Sequence, residues 1–279
     1  MKFTKMQGIG NDYIYIDCFK EKIENPEKLA IEMSPRRFSV GSDGLILICP
    51  SKVADAKMRM FNLDGSEGKM CGNGIRCVAK YVYDNILKKD RLDIETLSGI
   101  KTIDVFAENG VAKTLSVNMG APEFSPPKIP CAFEGEKMIN EPVDINGVSY
   151  NMTAVSMGNP HAVIFLDEIK SLDLENNGKY FENNPLFPEK VNTEFVEVID
   201  EKTLKMRVFE RGSGETFACG TGACAVVAAA VANGISKKDT EIKVSLLGGD
   251  LYITYSSDSS IYMRGPAKTV YEGEYYLCE

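Results

Sequence analysis

Short runs in which apolar residues alternate with polar ones, or follow one another without a break, recur along the chain and predict β-strands. In the first half these are residues 2–7 (KFTKMQ), 12–17 (DYIYID), 45–50 (LILICP), 57–61 (KMRMF) and 102–106 (TIDVF). In the second half they are residues 162–167 (AVIFLD), 194–200 (EFVEVID), 204–209 (LKMRVF), 242–247 (IKVSLL) and 251–256 (LYITYS). Asn109-Gly110, Asn146-Gly147 and Gly248-Gly249 fall between such runs, where short hairpin loops need residues that accept a positive φ. Helical spacing is rarer. Ile75, Val78, Ala79, Val82 and Ile86 share one face, whereas ACAVVAAAVA (223–232) is apolar all round, stops at Asn233-Gly234 and must be enclosed. A shorter helix is predicted from Pro26 to about Met33, with Asn25 as its cap.

The two longer helices follow one repeated pattern. Residues 67–77 read EGKMCGNGIRC and residues 215–225 read ETFACGTGACA, and their Cys-Gly-x-Gly cysteines stand 148 positions apart. The same offset sets Lys57-Met58-Arg59 on Lys205-Met206-Arg207, Phe61 on Phe209 and Glu67 on Glu215. With the motif itself this makes eight identities over residues 57–74, where about one is expected by chance. Gly10-Asn11 likewise lands on Gly158-Asn159. Solenoid repeats run to about 20 to 50 residues, so a period this long means duplicated domains. The expected fold is α+β: two pseudo-symmetric domains, each a strongly curved mixed β-sheet or barrel wrapped around one central helix. The expected boundaries are residues 1–117 and 118–265, with a terminal strand in 266–279 packing back on the first domain and the active site in the cleft between the two.

A chain of 279 residues, 44% hydrophobic and 26% charged, is long enough for two such cores. Its net charge of -8 and pI near 5.0 speak against a nucleic-acid partner, and a small molecule fits better. No signal peptide is readable at the N-terminus, and the longest apolar run is too short to span a bilayer, so no membrane partner and a cytoplasmic location are expected. The eight cysteines include no CxxC pair, which points to thiols in a reducing compartment rather than to a disulfide framework or a zinc site.

A helix N-terminus offers unpaired N–H groups and partial positive charge, and glycine lets a ligand approach that backbone closely. A cysteine there has its thiolate favoured. By itself such a cysteine is more often a small buried hydrophobe than a catalyst, but its duplication with matched glycines reverses that reading. Two domains related by a twofold could set Cys71 and Cys219 on opposite sides of one α-carbon, as stereoinversion without a cofactor or metal requires. Neither motif completes a dinucleotide GxGxxG, because Cys77 and Ala225 occupy the third position. Cys18, Cys49, Cys77, Cys131, Cys224 and Cys278 are read as structural. His161, the single histidine, is either a hydrogen-bonded structural residue or a tuner of a nearby thiol. Glu210 and Arg211 are either exposed charge or the asymmetric contacts that a substrate with two different ends requires, since they replace Asn62-Leu63 at the offset of 148.

The segments QGIGNDY, FNLDGSEGKMCGNGIRC, GNPHAV, VNTEF and ERGSGETFACGTGACA together resemble the diaminopimelate epimerase family, cofactor-independent racemases of bacterial lysine and cell-wall synthesis, over nearly the full length. The resemblance implies interconversion of LL- and meso-diaminopimelate by a homodimer that uses no cofactor. It implies that Cys71 and Cys219 are the acid/base pair, and that Gly72-Asn73 and Gly220-Thr221 seat the α-carboxylate. Asn11 then contacts substrate near the reacting carbon, and Asn62, Asn159, Asn192 and Arg211 hold the distal carboxylate. Glu210 contacts an amino group near a catalytic thiol, and His161 tunes thiol ionisation. Gly44 departs from the Gln that many members carry as a substrate contact. Proline racemases, which are related, typically carry His after the first Cys-Gly, where this chain has Asn73. A racemase for another amino acid such as histidine is the nearest rival, against which Asn62, Asn192 and Arg211 count. A thiol redox or binding protein is the rival from another class.

Overall fold

The computed structural model describes residues 1–276; Cys278 and the last residues of the expected terminal strand lie outside them. The first repeat runs β1 (Lys2–Gly8), β2 (Asn11–Asp17), α1 (Pro26–Met33), β3 (Gly44–Cys49), β4 (Ala56–Asn62), β5 (Glu67–Gly68), α2 (Gly72–Asn85), β6 (Arg91–Thr96), β7 (Gly99–Glu108) and β8 (Val111–Gly120). The second runs β9 (Glu141–Ile145), β10 (Val148–Ser156), β11 (Pro160–Leu166), α3 (Leu174–Glu182), β12 (Asn192–Asp200), β13 (Thr203–Glu210), β14 (Gly214–Thr216), α4 (Gly220–Ala232), β15 (Glu241–Leu246), β16 (Gly249–Tyr255) and β17 (Ile261–Pro266). β18 (Lys268–Glu274) follows. The protein is thus a mixed α+β structure, mostly sheet. It divides into two compact units: Met1–Val117 with the chain from Arg264 onward, and Asn118–Met263.

Each unit repeats the same ladder. In the first, β1 lies antiparallel between β18 and β2, β2 runs parallel to β3, β3 antiparallel to β4, β4 parallel to β6, and β6 antiparallel to β7. In the second, β10 lies antiparallel between β9 and β11, and the order then continues β11 parallel to β12, β12 antiparallel to β13, β13 parallel to β15, β15 antiparallel to β16. A parallel pair needs a crossover. The helices supply it: α1 and α3 join β2 to β3 and β11 to β12, while α2 and α4 join β4 to β6 and β13 to β15.

The expected central helices are present. α2 packs against β1, β2, β4, β6 and β7, and α4 against β10, β11, β12 and β16. Every residue of α4 from Gly222 to Ala230 is buried, as its all-apolar sequence demands. α2 instead buries two cations, each with partners. Arg76 donates to Gly72 O at 3.1 Å, Asn73 Oδ1 at 2.9 Å and Pro266 O at 3.3 Å, and Lys80 to Asp84 Oδ2 and Ala112 O, each at 2.8 Å.

α1 begins and ends where Asn25 and Met33 predict, with Asn25 Oδ1 accepting from Lys28 N. α3 has no counterpart among the sequence expectations, because Asn176, Asn177 and Gly178 weaken its helical signal. Its glycine is required by packing: a Cβ on Gly178 would stand 2.1 Å from the Phe209 ring. Alternation in the sequence is likewise too weak to single out β5, β6, β8, β9, β10, β14 and β17.

Candidate active site

Both motif cysteines are helix N-caps. Cys71 (φ -130°, ψ 121°) and Cys219 (φ -120°, ψ 108°) are extended, as N-caps are. Each Sγ accepts from the N–H three residues on, of Gly74 and of Gly222, at 3.3 Å. The cysteine carbonyls take Ile75 N at 2.9 Å and Ala223 N at 3.0 Å. The N–H groups of Gly72 and Asn73, and of Gly220 and Thr221, therefore stand in the first turn outside the intrahelical ladder, where a carboxylate is favoured. The second glycine of each motif has a packing role besides. A Cβ on Gly74 would lie 2.7 Å from Ile46 Cδ1, and one on Gly222 would lie 2.7 Å from Glu194 Oε1 and 3.1 Å from Cys219 Sγ.

In the first unit the Cys71 thiol donates to Asn11 Oδ1 at 3.3 Å. Asn11 Nδ2 donates to Asp43 Oδ2 at 2.8 Å, and because a carboxylate only accepts, this bond fixes the amide with its oxygen toward the thiol. Asp43 also takes Asp12 N at 3.0 Å and Arg36 at 2.9 Å, so the whole β2 entrance is tied together. Tyr13 stands beside Cys71 and Asn11. Burial pushes its phenol well above its ordinary value, and the charges of Cys71 and Asp43 add to that, so it remains a neutral hydroxyl. Asn73 is buried and its Oδ1 accepts from Arg76 at 2.9 Å, which turns the side chain back on the helix.

In the second unit Cys219 is only 5% exposed, with Thr221 Oγ1 at 3.5 Å. Burial pushes the Cys219 thiol well up, and the carboxylates of Glu210 and Glu194 push it further, against a smaller opposing effect from Thr221 and Gly222 N. Beneath it His161 Nδ1 lies 2.7 Å from Glu194 Oε1, and His161 Nε2 lies 3.1 Å from Asn159 Oδ1. Burial raises the Glu194 carboxyl, opposed by His161. Glu194 Oε2 is buried without a hydrogen-bond partner among the described residues, an arrangement far less costly for a carboxylic acid than for a carboxylate. His161 and Glu194 thus form a fully buried hydrogen-bonded pair that reaches Asn159 on its other side.

The remaining residues sit as follows. Asn192 Oδ1 accepts from Arg211 N at 2.8 Å, Arg211 donates from its guanidinium to Glu189 O at 2.8 Å, and Glu182 Oε1 takes Gly212 N at 2.9 Å, so the turn after β13 is anchored at its backbone. Glu210 accepts from Thr216 Oγ1 and acts on Cys219. Asn62 Nδ2 donates to Ser66 Oγ at 3.0 Å within its own turn. Within the first unit Cys71, Asn11 and Asn73 come together; within the second Cys219, Thr221, Glu210, His161 and Asn159 do, with Asn192 joined to Arg211. Gly44 faces Asn62 across β3 and β4 at a φ of 151°, and a Cβ there would stand 2.2 Å from Phe61 O. This backbone admits only glycine, so no side chain extends from this point of the strand.

Sequence reasoning passed over Tyr13, Asp43, Glu182 and Glu194. The offset of 148 would have found two of them: it sets His161 on Tyr13 and Glu194 on Ile46. Each unit thus carries a different group beside an equivalent thiol. Among the described residues no group of three or more His, Cys, Asp or Glu is placed to hold a metal ion, and no helix is long and apolar enough to cross a membrane.

The family profile described as diaminopimelate epimerase matches residues 3–125 and 153–270. The chain is 53% identical to a diaminopimelate epimerase of Acetivibrio thermocellus, over 100% of both chains, and 52% identical to one of Desulfovibrio desulfuricans, over 99% of both. Among solved structures it is similar to a probable proline racemase from Agrobacterium radiobacter with bound carbonate, at a TM-score of 0.74 and 12% identity, covering 99% of this chain and 93% of that one. That last likeness carries the fold; the profile and the full-length identities carry more, and by them this chain belongs to the diaminopimelate epimerase family.

Proposed function

We propose that the protein interconverts LL- and meso-diaminopimelate, with Cys71 and Cys219 acting as base and acid on opposite faces of one α-carbon, in the supply of lysine and peptidoglycan precursors. The observation that carries this reading is the pair of equivalent N-cap thiols, one in each repeat, each beside the first-turn N–H groups of a helix. The two helix ends would take the α-carboxylate through Gly72-Asn73 and Gly220-Thr221 and stabilise it as it gains enediolate character. Burial and two neighbouring carboxylates hold Cys219 as the thiol, which suits it to deliver the proton in the half-reaction that Cys71 begins as thiolate. In the reverse direction the roles exchange.

Asn11 positions the Cys71 sulfur through its fixed amide. His161 and Glu194, hydrogen-bonded to each other and fully buried, add polarity beside Cys219. Glu210 meets the substrate amino group, and Asn62, Asn159, Asn192 and Arg211 grip the distal carboxylate, Arg211 through a planar fork held on an anchored backbone. The cycle needs neither pyridoxal phosphate nor metal. A cytoplasmic homodimer completes the proposal on the strength of the family resemblance.

The test is α-hydrogen exchange in heavy water, with chelator present and no added cofactor. Diaminopimelate should take up deuterium at one α-carbon as it epimerises, and histidine and proline should not. Absence of exchange, or exchange only after pyridoxal phosphate is added, contradicts the proposal.

A further inference from the structure

Cys18 and Cys49 belong to no part of the site just described, yet they are neighbours by construction. The parallel register of β2 on β3 pairs Ile14 with Leu45 through Asp17 with Ile48, and Cys18 N continues it by donating to Ile48 O at 2.9 Å. The next pair in that register is Cys18 with Cys49. Adjacent parallel strands lie about 4.8 Å apart, inside the roughly 4.4–6.8 Å that a disulfide spans between Cα atoms. Residues paired in register point to the same face, and both cysteines rest against the cluster that includes Ile16, Leu29 and Leu47. Both are partly exposed, so a small reagent reaches them. Each thiol perturbs the ionisation of the other.

We propose that Cys18 and Cys49 form a second dithiol site, separate from the N-cap thiols, that reacts with low-molecular-weight disulfides and closes to a protein disulfide. Cys49 is the attacking thiol. Lys57 stands opposite it on β4 and Arg59 lies two residues along the same face. The neighbouring Cys18 thiol, and then the charges of Arg59 and Lys57, hold its thiol below the ordinary range despite burial, while Cys18 is held well above it, first by its neighbour Cys49. In the first step the Cys49 thiolate attacks one sulfur of the reagent and expels the other half as a thiolate. In the second, Cys18 gives up its proton and attacks the Cys49 sulfur, forming the Cys18–Cys49 bond and expelling the other half. Two protein thiols are oxidised, one disulfide is reduced to two thiols, and the two protons end on them. The site lies at the far end of β2 from Asn11, seven residues and about 20 Å away, so the cross-link leaves the Cys71 half-site untouched.

The experiment equilibrates the folded wild-type enzyme, Cys18→Ser and Cys49→Ser with glutathione buffers from fully reduced to fully oxidised, quenches with an alkylating agent, and maps the peptides. In oxidised buffer the wild type should give a linked Cys18–Cys49 peptide pair, reversible by reductant, and the two residues should lose their alkylation tags together. Cys18→Ser should accumulate a mixed glutathione disulfide on Cys49, Cys49→Ser should leave Cys18 free, and both variants should turn over at the wild-type rate in reductant. The proposal is overturned if the linked pair forms only in denaturant, or if both thiols stay free or are glutathionylated independently. Accumulation of the mixed disulfide on Cys18 in Cys49→Ser overturns the order of attack.

Discussion

His161 Nδ1 and Glu194 Oε1 are 2.7 Å apart, and neither side chain has any exposure to solvent. In the first repeat the same two positions are Tyr13 and Ile46, so one thiol has a phenol for a neighbour and the other an imidazole bound to a carboxyl. The duplication kept the two N-caps alike and let what surrounds them diverge, which a substrate with different groups on its two sides requires.

Replacing Glu194 with Gln keeps the shape and removes the ionisable carboxyl beside His161 Nδ1. Because Glu194 acts through His161 and Cys219, Glu194→Gln should lower kcat about ten- to hundredfold and leave the KM for diaminopimelate within about twofold. Glu194→Asp, whose carboxyl reaches less far, should recover part of the rate. Steady-state kinetics of both variants decides it. An unchanged kcat in Glu194→Gln removes the pair from catalysis.

The raised Cys219 thiol gives a prediction with a definite sign. Its thiolate is disfavoured by burial and by two carboxylates, so in the ligand-free enzyme alkylation of Cys219 by iodoacetamide should stay slow through neutral pH and rise only above the range in which an ordinary thiol ionises. Removing a negative neighbour favours the thiolate. In Glu210→Gln the rise should therefore move to lower pH. Peptide mass mapping across a pH series reads this directly, and a midpoint below pH 8 in the wild type contradicts it.

Arg211 stands on a turn anchored at its backbone by Asn192 and Glu182, with one guanidinium N–H also on Glu189 O. Arg211→Lys should therefore fold normally, with an unaltered melting temperature, yet lose bidentate recognition of the distal carboxylate. The KM should rise about tenfold, which is about 1.4 kcal/mol, and kcat should fall as well if that contact positions the α-carbon. Unaltered kinetics would take Arg211 out of the site.

Much of this was legible in the sequence because two copies of it were present. The repeat marked Cys71 and Cys219, the all-apolar run 223–232 marked an enclosed helix, and Asn25 with Pro26 marked where α1 begins. What stayed hidden has physical reasons. Glu194 lies in a strand buried on both faces at that end, so alternation could not tell an inward carboxylate from a solvated one. Tyr13 looked like an ordinary strand aromatic, and only its register beside Asn11 and Cys71 gives it a role. α3 was masked by Gly178, which is there to clear Phe209 and not to end a helix. Cys18 and Cys49 are 31 positions apart in the chain, and only the parallel pairing of β2 with β3 makes them neighbours.

The claim that two thiols share one α-carbon, each as base for one stereoisomer, is tested most directly by elimination from a diaminopimelate analogue bearing a leaving group at its β-carbon. Elimination needs one proton removed and none returned, so one thiol suffices, whereas inversion needs both. Cys71→Ala and Cys219→Ala should each lose epimerisation by at least about a thousandfold, and each should still eliminate from a single stereoisomer, the opposite one in the two variants. If both variants eliminate from the same stereoisomer, or if either still epimerises near the wild-type rate, the two-base account is wrong.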